Sequence, residues 1–197
     1  MSMEDAGKPW LIIITGAPGA GKTTLGKQVA QVLGLPFVHK DAIKETLFET
    51  LGWHDRAWSR RLGVASYALL FYFVEVLLRA GGSLIVESNF TPEWDTPRFA
   101  DLQQRYGFNA LQIMLTATPE ITIARFRTRV ESGERHPGHV DHQTYVEVMN
   151  RLRDCPWTSL ALDGKVIEVD TTDFSSVDYA GLLHEIARIV EGVSDGA

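Results

Sequence analysis

Five short runs in this chain, Leu11–Thr15, Pro36–His39, Ser83–Glu87, Ala110–Thr116 and Lys165–Asp170, are apolar almost throughout instead of alternating. A strand that is apolar on both faces has to be covered on both, which is the condition of a parallel sheet between two helix layers. The stretches between the runs carry helical periodicity at about 22–33, 42–51, 58–80, 94–106, 119–132, 142–152 and 177–191. Strands that alternate with helices make βαβ crossovers, so the pattern predicts a three-layer α/β fold.

Length and composition narrow the setting. A chain of 197 residues suits one well-cored domain and is marginal for two. We therefore expect a single domain over 1–197, with flexible ends at 1–8 and 192–197. The net charge of −6 provides no global positive field toward nucleic acid or anionic lipid. The only cysteine, Cys155, forms no intramolecular disulfide and reads as a small, at least half-buried residue, which suits a reducing cytoplasm. The opening MSMEDAGKPW lacks a basic segment followed by an apolar one, so no signal peptide is expected. The most apolar long stretch, 64–78, is interrupted by Glu75 and reads as too short to span a bilayer.

The first apolar run leads into Gly16-Ala17-Pro18-Gly19-Ala20-Gly21-Lys22-Thr23-Thr24, which satisfies G-x-x-x-x-G-K-[ST] between a strand and a helix. Glycines let the backbone curl until successive N–H groups point at anionic oxygens. The helix that starts near Lys22 directs its positive end at the same place. Lys22 would reach the β- and γ-phosphates of a nucleoside triphosphate, and the Thr23 hydroxyl would ligate Mg²⁺. A guanine-reading N-K-x-D is absent, and the chain is too short for the modules of a large ATPase. A small phosphotransferase using ATP and Mg²⁺ remains the best reading.

Further residues resemble the P-loop kinase superfamily, in particular its polynucleotide 5′-kinase, zeta-toxin and gluconate- or shikimate-kinase-like groups. The sequence DAIK at 41–44 is similar to the D-x-x-R element of those groups. The resemblance implies that Asp41 orients or deprotonates the acceptor hydroxyl, with Lys44 standing where relatives carry an acceptor-gripping arginine. Lysine lacks the planar fork of arginine. Asp41 also suits a plain helix N-cap, and the two roles are compatible. ESNF at 87–90 resembles the D-[AT]-[TN]-N strand ending, with Glu87 in the aspartate's place and Asn89 retained. Glu87, or Asp41, could hold Mg²⁺ through water; Glu87 could instead pair with a nearby Lys or Arg.

Arg125, Arg127, Arg129 and Arg135 fall where the superfamily carries a lid, here about 125–141. Arg125 and Arg129 are four apart and share a helix face, whereas Arg127 points elsewhere. The resemblance assigns the pair to charge on the transferring phosphoryl group, Arg125 also to the nucleotide; a solvated basic face is the plain alternative. His136, His139 and His142 follow a metal-like spacing, but Pro137 and Gly138 break the helix that would align them. A substrate-facing lid, with His136 or His139 near phosphate or acceptor, is preferred to zinc. The resemblance also implies a strand order of 2-3-1-4-5 and places Thr171 and Thr172 beside adenine.

The acceptor is expected to be a small hydroxyl compound held near Asp41, Lys44, Trp53, Glu87, Asn89, Phe90, Arg135 and His136. Trp53 and Phe90 are candidates for an aromatic wall, and a stripe such as Leu69, Phe73 and Val76 reads as core. The acidic balance argues against a long polynucleotide, which needs a continuous basic groove. A nucleic-acid 5′-hydroxyl kinase and a regulatory nucleotide-binding module with little turnover stay as alternatives.

Overall fold

The computed structural model describes residues 7–133, 135–142, 146, 149–150 and 157–192. Cys155, most of the helix expected over 142–152, and the chain ends at 1–6 and 193–197 lie outside the described residues. The elements run β1 (Trp10–Gly16), α1 (Lys22–Leu33), β2 (Phe37–His39), α2 (Lys40–Leu51), α3 (Arg56–Arg79), β3 (Leu84–Glu87), α4 (Pro92–Tyr106), β4 (Asn109–Thr116), α5 (Pro119–Ser132), β5 (Gly164–Asp170) and α6 (Tyr179–Glu191). Two single-turn 3₁₀ segments, Pro137–His139 and Phe174–Ser176, follow α5 and β5.

All five strands pair parallel in the order β2-β3-β1-β4-β5, as expected. The reason the strands read apolar on both faces is visible in the core. Leu11 and Ile13 of β1, with Leu84 and Val86 of β3, pack on Leu70, Phe71 and Val74 of α3 and Phe99 of α4. The alternate residues Ile12, Ile14 and Ile85, with Leu111 and Ile113 of β4, pack on Leu25 and Val29 of α1 and Leu182 and Ile186 of α6. Each buried side chain of this size contributes about 1.5–3 kcal/mol. The connections after β1 and β4 leave toward opposite edges of the sheet, so the carboxyl ends of these neighbouring strands form the switch point where such folds bind ligands.

β1 outruns the predicted run because Gly16 still pairs with Leu115. Its φ of +136° lies in a region that L side chains avoid, and an added Cβ would lie 2.1 Å from the Leu115 carbonyl oxygen. This glycine lets the chain turn off the sheet tightly against β4.

Three expectations about helices need correction. α2 starts at Lys40, capped by His39 Nδ1, which accepts from the Ala42 amide at 3.3 Å. Asp41 therefore sits in the first turn and is not the cap. α3 is 24 residues long, enough to cross a membrane by length and composition, so the argument from shortness fails. It places Leu62, Ser66, Leu70, Phe71, Val74 and Leu78 inward, whereas Phe73 is exposed, so the core stripe is offset from Leu69, Phe73 and Val76.

Candidate active site

A cleft of about 730 Å³ opens at the carboxyl ends of β1 and β3, lined by Pro18, Gly19, Gly21, Lys22, Thr23, Thr24, Lys40, Asp41, Glu87, Asn89, Arg125, Arg129, Arg135, Asp141 and Phe174 among others. A larger groove, about 990 Å³, lies where β1, β4 and β5 begin, lined by Trp10, Asn109 and Gly164. The convergent charged groups of the first make it the chemically competent site.

The loop between β1 and α1 is built for an anion. α1 has no side-chain cap, and its first turn has no acidic residue, so its leading amides keep their demand for negative charge. Lys22 is buried and donates to the carbonyls of Gly16 at 2.9 Å and Ala17 at 2.8 Å. Burial pushes its pKa down to about 8 despite the opposing pull of Glu87 and Asp41. An ammonium kept in that state gains strongly from an incoming phosphate. Ala20 faces the core and contributes backbone alone.

Thr23 donates its hydroxyl to Glu87 Oε2 at 2.8 Å. Glu87 is buried at the end of β3, so the carboxylate expected there faces the loop hydroxyl, with the charges of Lys22 and Arg129 within its reach. Two oxygen donors beside the phosphate cradle fit Mg²⁺, a hard ion that takes few protein ligands and completes its shell from water and phosphate.

On the other wall, Arg135 Nη1 donates to both carboxylate oxygens of Asp141, at 2.8 and 2.7 Å, while its Nη2 donates to Asp41 Oδ2 at 2.6 Å. Burial would raise the Asp41 pKa, but the charges of Arg135, Lys40 and His139 outweigh it and hold the carboxyl well below the usual range. Asp41 is thus an ionised acceptor facing the cleft.

The segment bearing Arg135 is docked on α2. His136 stacks on Phe48 at 5.0 Å, His139 meets the same ring edge-on at 5.3 Å, and the two imidazoles contact Glu49 and Glu45, each at 3.0 Å. Gly138 lies so near that an added Cβ would fall 2.7 Å from the Phe48 ring. Val140 follows with φ +49°, a strained conformation for a β-branched residue. The two histidines therefore serve the joint with α2, which corrects the expectation that either faces phosphate or acceptor. His142 is exposed, and among the described residues no group of three or more metal-ligating side chains gathers.

Arg125 and Arg129 both line the cleft, but differently. The Arg125 guanidinium lies 3.6 Å over the Phe174 ring and donates to the Thr172 carbonyl at 3.0 Å. Phe174 in turn abuts Gly21, where an added Cβ would meet its ring at 3.0 Å. Among the described residues Arg129 Nε is buried without a hydrogen-bond partner, and burial together with Arg135 lowers the pKa of Arg129. A buried guanidinium N–H lacking an acceptor beside a phosphate cradle favours an incoming anion.

Several predicted residues fall elsewhere. Phe90 is fully buried in the core against Phe71 and Phe99, so it lines no cleft. Trp53 is about half exposed, edge-on to His136 at 6.0 Å, outside the cleft. Lys44 turns from the cleft to donate to Ser59 Oγ at 2.9 Å, 5.2 Å from the Phe48 ring centre. Thr171 is buried, its hydroxyl spent on the Thr116 carbonyl; of the pair only Thr172 approaches the nucleotide side, through its backbone. Phe174 and Asp141 were missed. Phe174 sits in the polar stretch DTTDFSS, and Asp141 carries no more signal than its place at the end of the lid.

A family model described as AAA domain matches residues 11–153, most of the chain. The chain belongs to this family. A candidate kinase of solved structure from Chloroflexus aurantiacus is 37% identical, covering 92% of this chain and 98% of its own, with a TM-score of 0.84. The shikimate kinase of Rhodopirellula baltica is 27% identical over 158 residues, 75% of each protein. A gluconokinase structure from Sinorhizobium meliloti shares the fold at 17% identity and TM-score 0.51, covering 93% of this chain and 95% of that one. Together with the strand order, these findings put this AAA domain protein in the P-loop small-molecule kinase superfamily.

Proposed function

We propose that this protein is an ATP- and Mg²⁺-dependent kinase that transfers the γ-phosphoryl group to a hydroxyl of a small molecule. The observation that carries the reading is the convergence, in one cleft, of Lys22, the Thr23–Glu87 pair, the ionised Asp41 and the unpartnered Nε of Arg129. Lys22 and the loop amides bind the β- and γ-phosphates. Thr23 and Glu87 would hold Mg²⁺, which when bound neutralises phosphate charge. Phe174 and Arg125 offer the adenine a flat face and a cation. Asp41 accepts the hydrogen bond of the acceptor hydroxyl, whose oxygen attacks the γ-phosphorus as the bond to the β-phosphate oxygen breaks; the proton passes to Asp41 and ADP leaves. Arg129 meets the charge on the transferring group, where most of the catalysis of phosphoryl transfer resides.

A cytoplasmic setting and a single domain with its lid over about 125–141 complete this reading. The acidic residues Glu45 and Glu49, on the same helix as Asp41, interrupt any positive track and disfavour nucleic acid. The test is transfer of label from γ-labelled ATP to a panel of 5′-hydroxyl oligonucleotides, nucleosides, sugars, sugar acids and hydroxylated antibiotics. Labelled small molecule is the expected product. Labelled oligonucleotide alone would favour the 5′-kinase, and tight ATP binding with no product of any class would favour a regulatory module.

A further inference from the structure

The geometry points to Asp141 as a positioning residue that acts through Arg135 to fix Asp41 for the acceptor; the inference rests on the kinase reading above. Three observations carry it. First, both carboxylate oxygens of Asp141 accept from Arg135 Nη1, so the guanidinium is anchored before it reaches Asp41. Second, the remaining terminal nitrogen, Nη2, meets a single oxygen of Asp41, Oδ2. Among the described residues, the Arg135 contact occupies that oxygen and leaves Oδ1 as the side of the carboxylate presented to a hydroxyl. A carboxylate held at one oxygen by a rigid fork loses the freedom to rotate, and such pre-ordering is what positioned catalysis requires. Third, the chain around Asp141 is forced. Val140 holds a left-handed backbone while buried, and Gly138 with the Phe48 ring between His136 and His139 locks the segment to the helix that carries Asp41. Backbone strain of this kind persists only where the surroundings impose it.

The groups that face Asp41 are Arg135 and His139 from the docked segment and Lys40 from its own helix; Lys22, Lys44 and Arg129 sense its charge from the loop, α2 and α5. Against this many cations, loss of the Asp141 anchor leaves Asp41 ionised. What changes is where Arg135 points, and with it the direction of the carboxylate. The expected signature is a loss in turnover without a loss in nucleotide affinity.

The experiment is a double-mutant cycle on the full chain, with γ-labelled Mg·ATP and water as the acceptor probe, followed by any acceptor the panel returns. Asp141→Asn removes one carboxylate oxygen from the anchor and preserves shape; it is expected to lower kcat about tenfold or more with the KM for ATP within about twofold. Arg135→Lys keeps the charge but loses the fork, and is expected to match it. In an Asp41→Asn background neither change should slow the residual rate further, because both act through Asp41. A purely structural role would weaken ATP binding and lower the rate equally in both backgrounds, which would overturn the assignment, as would wild-type turnover in Asp141→Asn. Should Asp141→Asn fail to fold, Arg135→Lys carries the same cycle. Mg·ATP bound by the wild type without any turnover would refute the kinase reading itself, and this inference with it.

Discussion

Replacing Lys22 by methionine separates what this residue does for function from what it does for stability. The ammonium is buried among loop carbonyls, and its pKa of about 8 lies below the ordinary 10.5. Keeping it charged at pH 7 therefore costs the folded state about 3 kcal/mol. Methionine fills much of the same volume without the charge, but the carbonyls of Gly16 and Ala17 lose their donor, which gives back about 1 kcal/mol each. The balance is a variant about 1 kcal/mol more stable at pH 7, a rise in Tm of about 2–4 °C for a chain of this size. The sign with pH follows from linkage. The folded pKa lies below the unfolded one, so the unfolded chain binds more protons between pH 8 and 10.5, and wild-type stability from this group rises through that window. The advantage of Lys22→Met should be full below pH 8 and vanish or invert by about 10.5. Calorimetric melts at pH 7, 8.5 and 10, with and without Mg·ATP, test both halves. Wild type should gain about 2.7 kcal/mol at a hundredfold excess of ATP over Kd, and the variant almost nothing at the same concentration. A variant less stable at pH 7, with a gap independent of pH, would refute the reasoning.

Other expectations follow from single contacts. Gly16→Ala drives a Cβ into the Leu115 carbonyl at 2.1 Å with φ +136°, so urea denaturation should show a loss of about 3 kcal/mol or more, or no soluble protein. Phe174→Ala removes the face against Gly21 and beneath Arg125; by calorimetric titration it should weaken ATP about tenfold while leaving inorganic triphosphate within about twofold. His139 is buried, which together with Arg135 lowers its pKa to about 3, so below pH 6.5 the unfolded chain takes up the proton first and stability falls. The loss reaches about 2 kcal/mol by pH 5 and should be absent in His139→Gln, as read by urea midpoints at pH 7 and 5.

The five strands and the phosphate loop were legible because each rests on a local rule, whereas the strand order came only with the family resemblance. Runs such as Leu11–Thr15 are apolar on alternate residues for two different helix layers, and the loop's glycines, lysine and threonine each answer one demand of a polyphosphate. What the sequence did not disclose depends on which way a side chain turns. Phe90 follows a strand-end motif yet points into the core, whereas Phe174 lies in a polar stretch yet faces the loop. Lys44 stands at the acceptor-gripping position of DAIK, but Ser59 on α3 draws it away. His136 and His139 read as facing phosphate or acceptor because nothing local shows that Phe48, 88 residues before His136, holds both rings against α2. Asp141 gained meaning only when the docked segment placed it beside Arg135, across from Asp41.

The most direct test of the kinase reading compares Lys22→Met with Asp41→Asn for binding and turnover of γ-labelled Mg·ATP. The account predicts that the first change abolishes binding, whereas the second keeps the Kd within about threefold and loses phosphoryl transfer by at least a hundredfold. Transfer at the wild-type rate by Asp41→Asn would contradict it.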